Sequence, residues 1–133
     1  MNYFEINEGL NMDSIVINAT IDTPKVICSD DGTLSIFGRS LIENPIDFYK
    51  PILDWVKHIN VENIEIIIRL EYMNTSSSMQ IYNLLEQAKK NQWKKSVMVK
   101  WFYDVNDEDG IELGKEFESM LEMPFQFYNF LDL

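Results

Sequence analysis

Residues 64–93 read IEIIIRLEYMNTSSSMQIYNLLEQAKKNQW, and this stretch decides the fold of the chain. An apolar run of strand length is followed by small hydroxyl and amide residues, and then by apolar residues at helical spacing. The stretch therefore predicts a strand, a turn and a helix. The helix is predicted to begin at Asn74, Thr75, Ser76 and Ser77. Side chains there lie beside unpaired N–H groups and the positive end of the helix dipole, so the place either caps a helix or accepts an anion.

The first part of the chain is predicted to form four short strands. They are Tyr3–Ile6, Ser14–Asn18, Lys25–Ser29 and Thr33–Phe37. The last two flank Asp30-Asp31-Gly32, whose Asp-Gly pair is a strong hairpin signal. A helix then follows, with Asn44 as its cap and Pro45 in its first position. Since an internal proline costs a helix about 3 kcal/mol, Pro51 predicts a kink or a start nearer Lys50.

The second half alternates strands with helices. Ile64–Leu70 is apolar on both faces except for Glu65 and Arg69, which predicts a central strand covered on two sides. The remaining predicted elements are a helix aligning Ile81, Leu84, Leu85 and Ala88, a strand Ser96–Tyr103, a helix aligning Leu113, Phe117, Met120 and Leu121, and a strand Phe125–Phe130. The prediction is one α/β domain spanning residues 1–133, a mixed β-sheet packed by about three helices.

Composition excludes several classes of function. The 133 residues carry 22 acidic and 11 basic side chains, a formal charge of −11, which would repel a nucleic-acid backbone. Cys28 is the sole cysteine and can form no internal disulfide. The acidic N-terminus does not resemble a signal peptide, and no apolar run reaches the roughly 20 residues of a membrane span. We expect a cytoplasmic protein that binds neither nucleic acid nor membrane.

Signals for metal binding and catalysis are weak. The acidic loop from Asp104 to Asp109 does not match an EF-hand. A calcium-binding loop of that type has glycine at position 6 and glutamate at position 12. Counted from Asp104, position 7 is Gly110 and position 12 is Lys115. A solvated loop and helix N-terminus is the favoured interpretation. Cys28 and His58 provide one thiol and one imidazole without further context, so we predict no catalytic residue, no metal and no cofactor.

The NTSSS segment supports two interpretations. One is a helix N-cap with extra polar residues. The other is phosphorylation of Thr75 or of a neighbouring serine, since a phosphate at a helix N-terminus finds N–H donors and a favourable dipole. Such a phosphate would add about two negative charges to an exposed face and break any complex that covers it.

Several segments together resemble the SiaC family of bacterial regulatory phosphoproteins. They are Asp22–Pro24 (DTP), Gly38–Asn44 (GRSLIEN), Phe48–Trp55 (FYKPILDW), Glu71–Met79 (EYMNTSSSM), Trp101–Asp109 (WFYDVNDED) and Pro124–Phe127 (PFQF). The resemblance spans nearly the whole chain in the right order, and Y-x-N-T-S-S is its most specific part. The position that matches the family's phosphorylated threonine is Thr75. Where the family usually reads Pro-Glu-Asn, this chain has Ile42-Glu43-Asn44.

The resemblance implies a fold similar to the STAS-type anti-sigma-factor antagonists and a non-enzymatic role in partner switching. It implies a histidine-kinase-like Ser/Thr kinase that modifies the threonine and a PPM-type phosphatase that removes the phosphate. It also implies an effector bound by the unmodified form, such as a diguanylate cyclase in cyclic-di-GMP and biofilm signalling. We expect Tyr72, Asn74, Ser76 and Ser77 to form part of the partner-binding surface around Thr75.

Two alternatives from other classes stay open on the sequence. The first is a small metal-dependent hydrolase that uses the Asp104 to Asp109 loop. The second is a structural subunit in which NTSSS only caps a helix, so that replacing the capping residue by alanine costs about 1 kcal/mol of stability.

Overall fold

A computed structural model describes residues 4–7 and 11–131, and its side chains are described from residue 14. These residues form one seven-stranded sheet whose strands lie side by side in chain order. The strands are β1 (Phe4–Asn7), β2 (Asn11–Ile17), β3 (Lys25–Cys28), β4 (Thr33–Ser40), β5 (Asn63–Met73), β6 (Ser96–Tyr103) and β7 (Phe125–Asn129). Tyr3, predicted to open the first strand, lies outside the described residues.

The sheet is mixed, as predicted. The strands from β1 to β4 pair antiparallel, and those from β4 to β7 pair parallel. The Asp-Gly turn joins β3 to β4, and the Ser29 N–H donates to the Thr33 carbonyl at 2.9 Å. Gly32 has a φ of 97°, which only glycine adopts without strain, so the predicted hairpin is confirmed.

The described part of the chain contains three helices, α1 (Ile46–His58), α2 (Thr75–Lys90) and α3 (Glu108–Leu121). Each helix connects two parallel strands, and their apolar faces share one core with the sheet. The predicted α/β class with three helices is confirmed.

The prediction that the central strand is covered on two sides is wrong. In β5, Ile64, Ile66 and Ile68 are buried, whereas Glu65 and Ile67 between them are only half-buried. The helices therefore cover one face of the sheet. On the other face, long side chains of neighbouring strands shield one another, such as the Glu65 carboxylate and the Lys100 ammonium, 2.6 Å apart. The apolar run Ile64–Leu70 is equally compatible with a strand covered on one face and with a strand covered on both, so it does not show whether helices cover the second face.

The start of α1 also differs from the prediction. The helix begins at Ile46, runs through Pro51 without interruption, and has Pro45 in the capping position with no side-chain cap from Asn44. Loss of one backbone hydrogen bond at Pro51 is offset by burial of the apolar face, since each large apolar side chain contributes about 1.5–3 kcal/mol. The buried residues of this helix are Phe48, Tyr49, Ile52, Trp55 and Val56.

Parallel pairing gathers three connections at one edge of the sheet. The carboxyl ends of β4, β5 and β6 lie at the same edge because these strands run in one direction. The helices α1, α2 and α3 each begin just after one of those strand ends. In open α/β sheets this is the edge where binding sites form, and here it carries the NTSSS segment.

Candidate functional site

The NTSSS segment forms the first turn of α2, as the sequence predicts. Asn74 is the N-cap residue, with extended backbone angles, and its side-chain oxygen accepts the Ser77 N–H at 3.0 Å. This bond satisfies one of the N–H groups that a helix start leaves unpaired. The NTSSS segment therefore caps the helix through Asn74.

The four hydroxyl side chains of this turn occupy different environments. Thr75 is exposed, whereas Ser76 and Ser78 are half-buried and Ser77 is 0% exposed. The Ser76 hydroxyl donates to the Ile42 carbonyl at 3.2 Å, and the Ser78 hydroxyl donates to the Thr75 carbonyl at 2.7 Å. Thr75 therefore carries the most accessible of the four hydroxyls.

The turn is bound to the connection between β4 and α1. The Asn74 backbone N–H donates to the Ser40 carbonyl at 3.0 Å, and the Asn74 side-chain amide donates to the Ile42 carbonyl at 3.1 Å. Together with the hydroxyl of Ser76, these contacts join two segments more than thirty residues apart in sequence. Sequence reasoning missed this set of contacts, because Ile42 takes part through its carbonyl, which no side-chain pattern reports.

A buried chain of hydroxyl groups lies beneath the turn. The Ser40 hydroxyl donates to the Ser77 hydroxyl at 2.8 Å and lies 2.7 Å from the Tyr49 hydroxyl. Burial raises the pKa of Tyr49 to about 12, although the hydrogen bond with Ser40 opposes the shift. The predicted contact of Ser77 with a partner is therefore corrected. Its side chain faces the core, where its hydroxyl accepts from Ser40.

Large apolar side chains are exposed at this edge of the molecule. Tyr72, near the end of β5, is 53% exposed. Ile46 at the start of α1 is 59% exposed and Met79 in the second turn of α2 is 66% exposed. Met79 lies outside the core stripe of α2, which is the sequence signal that would have identified it. Ile46 shares the helical spacing of Tyr49 and Val56, which predicts that it lies on the apolar face, so the sequence gives no signal of its exposure.

Two carboxylates of the acidic loop accept hydrogen bonds from backbone N–H groups of the loop itself. An Asp104 side-chain oxygen accepts the Asn106 N–H at 2.9 Å. Asp107 caps α3, and its side chain accepts the Asp109 N–H at 3.1 Å. No group of three or more His, Cys, Asp and Glu side chains in the described ranges is arranged to hold a metal ion. The hydrolase alternative gains no support from this loop.

Cys28 and His58 have separate, ordinary environments. Cys28 lies in the core at 1% exposure, and burial raises the pKa of its thiol to about 12. His58 is exposed in the last turn of α1, with its Nδ1 atom 2.9 Å from the Asp54 carbonyl. A thiol protonated at neutral pH is a poor nucleophile, so the structure favours a packing role for Cys28.

None of the helices within residues 11–131 is long and apolar enough to cross a membrane.

Comparison with known proteins places the chain in a family. A family profile described as SiaC family regulatory phosphoprotein matches residues 17–130. An uncharacterized protein of Pseudomonas aeruginosa (strain UCBPP-PA14) is 34% identical over 121 residues, which cover 86% of this chain and 94% of that protein. Its similarity extends over nearly the full length of both sequences.

Two solved structures are similar as well. The crystal structure of apo-SiaC from Pseudomonas aeruginosa has a TM-score of 0.72 and 31% identity, covering 86% of this chain and 98% of that one. The structure of the diguanylate cyclase SiaD in complex with its activator SiaC, from the same species, has a TM-score of 0.72 and 32% identity over the same shares. Sequence, profile and fold agree, and the chain belongs to the SiaC family of regulatory phosphoproteins.

Proposed function

We propose that this protein is a signalling switch whose unmodified form binds and regulates a diguanylate cyclase, and whose phosphorylation at Thr75 ends that binding. The observation that carries the proposal is the exposure of Thr75 among hydroxyls that are otherwise half-buried or buried. Its effector is proposed from the related SiaC, which forms a complex with the diguanylate cyclase SiaD as its activator.

Electrostatics at the start of α2 favours a phosphate there. Asp47 lies in the first turn of α1, and Glu108 and Asp109 lie in the first turn of α3. The first turn of α2 has no acidic residue, so no carboxylate compensates the positive end of its dipole. A phosphate on Thr75 would meet backbone N–H donors and a favourable dipole without unfolding the helix.

The same phosphate would weaken a complex that covers the turn. Tyr72 and the half-buried Asn74 and Ser76 lie around Thr75 and form the proposed contact surface with the effector. A partner that desolvates this surface would leave the added charge buried and unpaired, at a cost of several kcal/mol. Because about 1.4 kcal/mol is a tenfold change in affinity, binding should fall about a hundredfold or more.

Reversible control requires two further enzymes. We propose that a histidine-kinase-like Ser/Thr kinase adds the phosphate and that a PPM-type phosphatase removes it, with all partners in the cytoplasm. Exposure of Thr75 at a helix start gives both enzymes access to the side chain. Ser78, whose hydroxyl donates within its own helix, provides a matched control for Thr75.

Alanine and glutamate variants of Thr75 test the proposal, with Ser78→Ala as control. The binding partner is a purified diguanylate cyclase from the same organism. Thr75→Ala should bind it whether or not kinase and ATP are present, and should gain no phosphate by intact mass. Thr75→Glu should bind more weakly than the unmodified protein, although one carboxylate imitates a phosphate incompletely. If kinase treatment leaves Thr75 unmodified in the wild type, or if both variants bind like wild type, the Thr75 switch is wrong.

A further inference from the structure

We propose that phosphate on Thr75 also loosens residues 42–44, in the connection between β4 and α1, by withdrawing hydrogen-bond donors from the Ile42 carbonyl. The inference rests on the proposed function and adds a movement to it. Phosphorylation would then change the effector-binding surface in two ways. It would add charge to the first turn of α2, and it would disorder the neighbouring segment.

The Ile42 carbonyl accepts two donors, and both belong to the residues on either side of Thr75. The Asn74 amide donates at 3.1 Å and the Ser76 hydroxyl at 3.2 Å. Ser76 also lies 3.4 Å from the side-chain oxygen of Asn74, so the two donors are close to each other. Thr75 lies between these two donors in the sequence, and we infer that a phosphate on its side chain can reach both of them.

A phosphate is a stronger acceptor than a peptide carbonyl. It brings three oxygens and close to two negative charges, and charge-assisted hydrogen bonds are about twice as strong as neutral ones. The Ser76 hydroxyl turns by rotation about one bond, without any change in the backbone of α2. The Asn74 amide turns only by giving up the bond that its side-chain oxygen accepts from the Ser77 N–H, and that N–H then becomes a donor for the phosphate. When they turn to the phosphate, the Ile42 carbonyl loses both partners.

The rest of the structure confines the movement to a short segment. Ahead of Ile42, the Leu41 N–H donates to the Asp22 carbonyl at 2.8 Å, and the Ser40 hydroxyl lies in the buried chain beneath the turn. Behind it, Pro45 is buried and its carbonyl accepts the Tyr49 N–H at 3.0 Å, which fixes the start of α1. Only residues 42–44 lie between these fixed points, so release at Ile42 loosens this segment while the helices stay in place.

Loss of the hydrogen bonds to the Ile42 carbonyl also affects the surface of the protein, through the Ile42 side chain. It is half-buried and packs against the core, while Glu43 and Asn44 after it are exposed. Loss of the carbonyl anchor therefore changes the shape of the surface beside Tyr72 and Ser76, which the proposed effector covers. Ser76 then has a role separate from modification, because it holds the binding-competent shape.

NMR relaxation on the full-length protein tests the movement directly. Backbone order parameters of residues 42–44 should fall from about 0.85 to below about 0.6 on phosphorylation of Thr75, with the middle of α2 unchanged. Ser76→Ala removes one of the two donors without adding charge. It should lower the order parameters of the same segment and weaken binding of the purified diguanylate cyclase about threefold to tenfold, whereas Ser78→Ala should do neither.

The outcomes separate this inference from the proposed function. Unchanged order parameters of residues 42–44 in a phosphorylated protein that no longer binds the cyclase would overturn the inference and leave the Thr75 switch as a purely electrostatic one. Equal effector binding by Ser76→Ala and Ser78→Ala would overturn it as well. If phosphorylated and unmodified proteins bind the cyclase equally, the proposed function itself fails.

Discussion

At the residue scale, the polar groups beneath α2 are hydroxyls that satisfy one another. Ser40 and Ser77 are 0% exposed, and so is Tyr49, whose hydroxyl lies 2.7 Å from the hydroxyl of Ser40. Buried polar atoms of this kind stabilise a fold only while their partners remain, because an abandoned donor or acceptor loses water without compensation. The set should therefore be sensitive to removal of a single oxygen.

Tyr49→Phe removes that oxygen while keeping the ring. We expect it to lower the free energy of unfolding by about 1–2 kcal/mol, since Ser40 loses a buried partner. Urea unfolding followed by tryptophan fluorescence measures the change. Tyr72→Phe, at a position 53% exposed, is the matched control and should stay within about 0.5 kcal/mol of wild type. Equal losses in the two variants would contradict a special role of the buried chain.

At the element scale, α3 packs against the sheet through a glycine. A Cβ at Gly114 would lie 2.7 Å from ring atoms of Trp101, and the indole N–H of Trp101 donates to the Gly110 carbonyl at 3.0 Å. The missing side chain of Gly114 therefore creates the space that lets the helix and the Trp101 indole approach each other. The indole is 2% exposed, so it has little freedom to move away.

Gly114→Ala should therefore destabilise the protein despite the better helix propensity of alanine. Overpacking of a core contact costs about 1–3 kcal/mol, against about 1 kcal/mol gained from propensity. Gly110→Ala, one turn earlier in the same helix, would meet nothing closer than an Asp107 oxygen at 3.4 Å and should be neutral or stabilising. The difference in thermal midpoint between the two variants measures the packing term, and a Gly114→Ala midpoint equal to that of Gly110→Ala would show that the helix moves freely.

Also at the element scale, local signals in the sequence predicted local structure well. The start of α2 at Asn74 follows from small polar residues ahead of a helical apolar pattern, and the β3–β4 hairpin follows from its Asp-Gly pair. The sequence does not predict an uninterrupted α1, because the penalty of Pro51 is local, while the burial that outweighs it depends on the whole helix face. The two hydrogen bonds to the Ile42 carbonyl cannot be predicted from the sequence, because their donors are 32 and 34 residues away along the chain.

At the scale of the whole molecule, two buried acids make the fold sensitive to alkaline pH. Burial raises the pKa of Cys28 from 9.0 to about 12 and that of Tyr49 from 10.0 to about 12. The unfolded chain ionises both groups at their ordinary values, so above pH 9 the folded state binds more protons than the unfolded state. Stability is therefore complete below about pH 9 and is lost as the pH rises toward 12.

We expect the free energy of unfolding to fall by about 2 kcal/mol between pH 8 and pH 10, with Cys28 contributing most of the decrease. Urea unfolding at each pH measures it. In Cys28→Ala, the free energy of unfolding should fall much less between pH 8 and pH 10 than it does in wild type. A pH dependence equal to that of wild type would show that the thiol ionises in the folded protein.

For the whole molecule, we propose that the charge on the exposed Thr75 determines whether the effector binds. The decisive measurement is calorimetric titration of a purified diguanylate cyclase from the same organism with stoichiometrically Thr75-phosphorylated protein and, in parallel, with unmodified protein. We expect measurable binding of the unmodified protein and a loss of affinity of about a hundredfold or more on phosphorylation. Equal affinities of the two forms would show that the charge on Thr75 does not control binding.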